Sequence, residues 1–75
     1  MAIREKLWTV VFEIPNQTEV VSLRFADKRD AELAFDHAAD RIRLGRPYVE
    51  ARAEGTGSRF VIPLIPVPIV RLYGP

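Results

Sequence analysis

The sequence predicts an α+β domain of two layers, an antiparallel sheet with one helix packed on one face, in the order ββαββ plus an extended proline-rich C-terminal segment. Three observations carry this. Apolar residues recur at every second position in four short runs, two before and two after a single stretch of helical period. Clusters of turn-forming residues separate the members of each pair of runs. Prolines at 63, 66 and 68 forbid a helix near the C-terminus.

The first run, Lys6 to Ile14, sets Trp8, Val10, Phe12 and Ile14 on one face and Leu7, Thr9, Val11 and Glu13 on the other. Pro15-Asn16-Gln17-Thr18 is a turn cluster, and Glu19 to Ala26 is the partner strand. A four-residue loop pairs Ile14 with Glu19, Phe12 with Val21, Val10 with Leu23 and Trp8 with Phe25. In this register the apolar Trp8, Val10 and Phe12 each meet an apolar partner, and a one-residue slip spoils the match.

Asp27 then has the chemistry of a helix N-cap, its carboxylate accepting from free amides of the first turn, with acidic Asp30 three positions on. Ala31, Ala34, Phe35, Ala38 and Ile42 form one apolar stripe at the 3.6 period. Arg41 and Arg43 suit the negative end of the helix, Gly45 supplies a left-handed residue beyond it, and Pro47 blocks continuation.

Tyr48 to Glu54 alternates again, and Ser58 to Leu64 is its partner. A two-residue Gly55-Thr56 turn, glycine first as a type II′ turn requires, pairs Ala51 with Phe60, Val49 with Ile62 and Arg52 with Arg59. The core of the single domain is expected over residues 5–64. Residues 65–75 form a tail confined by its prolines to a sheet edge or to polyproline II, either packed on its own chain or exchanged with another.

Composition narrows function more than it assigns it. Seventy-five residues without cysteine exclude disulfides, thiolate metal sites and cysteine nucleophiles. No basic segment precedes an apolar one as in a secretory signal. The longest apolar run, Val61 to Val70, is about half the ~20 residues that span a bilayer. A cytoplasmic protein without membrane association is therefore expected. Asp36, His37 and Asp40 place one histidine and two carboxylates on what reads as a solvated helix face, short of the donor set a zinc or iron site needs. Ser22 and Ser58, the only serines, lie in no nucleophile elbow. Neither catalysis nor a cofactor is expected. Against Thr18 to Phe25, the base-stacking octet of RNA-recognition motifs matches only at Leu23 and Phe25, so that family is not indicated.

Two surface features remain. The net charge of +1 divides into −3 over residues 1–40 and +4 over residues 41–75, where Arg43, Arg46, Arg52 and Arg59 suggest a surface for an anion or nucleic acid. The second feature is apolar. With a helix on one sheet face, the other carries Leu7, Val11, Val20, Tyr48, Val61 and Ile65, and the tail adds Val67, Ile69, Leu72 and Tyr73. A core of this size rarely supplies more than ~3–5 kcal/mol without a staple, and a second subunit is one such staple. The expected function is a small interaction or assembly domain, self-associating as a dimer or binding another protein. Nucleic-acid binding through the arginines is the alternative.

Overall fold

The computed structural model of the chain describes residues 7–18, 20–52 and 57–75. Its elements are β1 (Trp8–Glu13), β2 (Val20–Phe25), α1 (Lys28–Arg43), β3 (Tyr48–Arg52), β4 (Arg59–Pro63) and β5 (Ile69–Tyr73). The class and order are those the sequence predicts, with the tail supplying a fifth strand.

The first hairpin has the expected register, with Trp8 opposite Phe25, Val10 opposite Leu23 and Phe12 opposite Val21. Its turn is closed by Gln17 N–H donating to the Ile14 carbonyl at 3.3 Å. Asn16 takes the positive φ, 64°, that asparagine tolerates after a proline in such turns. Glu19 and the Gly55-Thr56 turn lie outside the described residues.

Helix α1 begins and ends as its sequence dictates. The Asp27 carboxylate accepts from Arg29 N–H at 2.8 Å. At the other end Gly45, at φ +71°, donates to Ile42, and Arg46 N–H reaches back to the Arg41 carbonyl, both at 3.0 Å. This pair of bonds is a Schellman motif, and it satisfies carbonyls the helix leaves open. Replacing the cap, Asp27→Ala, is expected to cost about 1 kcal/mol. In a domain of this length that lowers the melting temperature by roughly 4–8 °C, measurable by thermal circular dichroism.

One difference from expectation positions everything that follows. The strands divide between two sheets, β2-β1-β5 and β3-β4. The reason is that β1 has only two edges: β2 takes one, and β5 takes the other in antiparallel register, Val10 opposite Leu72 and Phe12 opposite Val70. Proline residues punctuate the connection, since Pro63 ends β4 and Pro68 immediately precedes β5, so the ladder does not continue between them. The tail therefore packs on its own chain. Trp8 closes over its end, with ring carbon Cζ3 only 3.1 Å from where a Cβ on Gly74 would stand, so glycine permits that approach.

The core lies between the three-stranded sheet, α1 and the inner face of the second hairpin. Val10, Phe12, Ala31, Ala38, Val49, Ile62 and Leu64 are buried, with Phe35, Ile42, Val70 and Leu72 packed against them. Small alanines on α1 let the sheet approach closely. The second hairpin stands partly off, leaving a gap of about 180 Å³ bordered by Phe12, Leu23, Ala34, Ala38 and Ala51. Among the described residues no helix is long and apolar enough to cross a membrane.

Candidate interaction surface

Because the strands form two sheets, the apolar residues expected on one open face are distributed over three places. On the outer face of the three-stranded sheet, the register sets Val20, Glu13 and Ile69 in one row, Ser22, Val11 and Arg71 in the next, and Arg24, Thr9 and Tyr73 in the third. Leu7 continues the parity of Val11 just before β1 and is half-buried. Polar groups interrupt this face. Arg71 lies 3.6 Å from Glu13 and donates to the Tyr73 hydroxyl at 3.3 Å. The hydrogen bond to Tyr73, with the charge of Glu13 second, raises the Arg71 guanidinium above its usual pKa.

The second place is the outer face of the β3-β4 hairpin. Tyr48 stands opposite Pro63 and Glu50 opposite Val61, bordering a groove of about 460 Å³ that also takes in Pro47 and Phe60. The ladder extends one step past the strands, because Leu64 N–H donates to the Pro47 carbonyl at 2.9 Å. Strand alternation then carries the outward row Val61, Pro63, Ile65, with Ile62 and Leu64 buried between them. The third place is the β4-β5 connection itself, where Ile65 is 67% exposed and Val67 58%, against 58% for Val61 and 49% for Tyr48. Pro68, next in sequence, is buried and ends the bulge. The exposed apolar residues of the hairpin thus run on along the chain into those of the connection.

The helix holds Tyr48 in place. Arg41, from its last turn, donates to the Tyr48 carbonyl from Nε at 3.2 Å and from a terminal nitrogen at 3.0 Å. Its guanidinium carbon also sits 5.8 Å from the centre of the Tyr48 ring. A planar guanidinium can make both contacts at once, and they set the orientation of the aromatic wall of the groove. No sequence period links Arg41 to Tyr48. Comparison with protein-family models, with curated proteins and with solved structures finds no match to this chain.

One predicted residue needs correcting. Leu72 does not belong to an outer surface, since it is opposite Val10 and packs against the core. Val70, two residues before it, likewise packs against the core, and Leu64 is buried in it. The signal was present in Arg71, whose charge marks the outward parity of β5 and turns its two neighbours inward.

The four arginines are not brought together. Arg43 and Arg46 lie at the base of the hairpin, Arg43 paired with Asp40. Arg52 and Arg59 face each other at the far end of β3 and β4. The β3 strand alone separates the two groups by roughly 13 Å. His37 is exposed, as are Asp36 and Asp40, and with Glu50, Ala51, Arg52 and Arg59 it lines a recess of about 290 Å³. Its place three residues after Ala34 and one before Ala38, on the flank of the apolar stripe, already indicated that direction.

Proposed function

We propose that this chain is a small, non-catalytic assembly domain that pairs with a second copy of itself through the outer face of the β3-β4 hairpin and the adjoining 65–67 connection. The observation that carries the reading is the exposure of Tyr48, Val61, Ile65 and Val67, on the hairpin and the connection that follows it, beside a groove. The bulge and the groove sit side by side on one chain, the arrangement a two-fold contact uses, where each copy offers the same patch. Charged residues lie on both outer faces, Glu13, Arg24 and Arg71 on the three-stranded sheet and Glu50, Arg52 and Arg59 on the hairpin; the hairpin is preferred for its groove of about 460 Å³ and its exposed Val61, Ile65 and Val67.

Light scattering on a size-exclusion column across a dilution series tests the proposal. The expected result is twice the chain mass at high concentration, falling towards the chain mass on dilution. A single-chain mass throughout would overturn it.

A further inference from the structure

We infer that the recess between α1 and the end of the second hairpin is a binding site for a single phosphoryl group, held by Arg52, Arg59 and His37. The register places Arg52 directly opposite Arg59, where two like charges repel across a strand pair. Among the described residues, one carboxylate answers them: Glu50 is ion-paired with Arg59. No ion pair or side-chain hydrogen bond engages the Arg52 guanidinium among the described residues, whereas that of Arg59 is held by Glu50. The helix contributes His37 to the same recess, adding an imidazole N–H from a different element. Arg52, Arg59 and His37 line this one concavity together with Glu50, and two guanidinium groups with an imidazole suit a compact oxyanion with several acceptor oxygens once Glu50 gives way.

The geometry also favours a phosphoryl group on a small ligand over a nucleic-acid backbone. A backbone repeats its charges every few ångströms and is met by a track of cations. Here Arg43 and Arg46 lie beyond the length of β3 from the recess, and acidic Glu50 lies along that strand between them. The site needs no second copy; Glu50 and Arg59 also border the groove of the hairpin, so phosphate binding is read at dilutions where the mass is that of a single chain, and its failure is distinguishable from failure to self-associate.

Nuclear magnetic resonance titration of the full chain tests the inference, with inorganic phosphate and glycerol phosphate as probes, sodium chloride at matched ionic strength as reference, and a single-stranded oligonucleotide as competitor class. Saturable shifts at His37, Arg52 and Arg59 are expected with both phosphate probes and not with chloride. Arg52→Ala should weaken binding at least tenfold. Glu50→Gln should tighten it several-fold, because it removes the carboxylate that competes for Arg59; a purely structural ion pair would give no such gain. Shifts that chloride reproduces, binding unchanged by Arg52→Ala, or no tightening in Glu50→Gln would overturn the site. So would binding of the oligonucleotide alone, lost on Arg43→Ala with Arg46→Ala and kept on Arg52→Ala.

Discussion

Phe12→Ala is expected to leave the chain unfolded in water at room temperature. Phe12 is 1% exposed at the centre of the core, on the middle strand of the larger sheet. It is flanked by Val21 on β2 and Val70 on β5, so its ring is the one both neighbouring strands pack beside. Truncating a buried phenylalanine costs about 3–5 kcal/mol. A single core below ~80 residues rarely supplies more than that in total. The far-UV circular dichroism of the variant should lose its helical signal and its amide resonances should collapse to narrow dispersion. Leu33→Ala serves as the control, because Leu33 is 59% exposed on the outer side of α1. Its effect should stay within roughly 0.5 kcal/mol, as for most surface positions. A folded Phe12→Ala would show that the core does not depend on this ring.

Val61→Asp combined with Ile65→Asp is expected to dissociate the proposed dimer, raising its dissociation constant by at least about a hundredfold, some 2.7 kcal/mol. Both side chains are more than half exposed in the single chain, so the substitutions leave the core untouched. In the proposed interface each copy would bury two unpaired carboxylates, and burying a charge without a partner costs several kcal/mol. Sedimentation velocity reads the shift directly. The same pair of charges on the other sheet, Val20→Asp with Ile69→Asp, should leave the dimer intact. The reverse pattern would move the interface to the three-stranded sheet.

Much of the architecture was legible from local chemistry. Both hairpin registers follow from the alternation of Trp8 to Ile14 and of Tyr48 to Arg52 matched against their partners. Both helix ends follow from Asp27 and Gly45. The division into two sheets was not legible, because it depends on which strand takes the second edge of β1. That competition is settled by contacts between residues some sixty positions apart, such as Val10 with Leu72. The surface was harder for the same reason. Tyr48, Val61 and Ile65 are outward-facing by parity alone, but the exposure of Val67 beside a buried Pro68 depends on how the β4-β5 connection is folded. The recess needed His37 and Arg52 to meet from a helix and a strand, a proximity that no spacing in the chain encodes.

The most direct test of self-association through the hairpin uses the absence of cysteine from the chain. A single Arg46→Cys substitution places a unique spin-label site at the rim of the groove, beside Pro47 and on an exposed residue. Spin-labelled copies are mixed with isotope-labelled unlabelled copies, and only broadening between molecules is read. The amides of Tyr48, Val61 and Ile65 should broaden, while those of Val20, Ser22 and Arg24 on β2 should not. Broadening centred on β2, or none at concentrations where the mass is that of a dimer, would contradict the account.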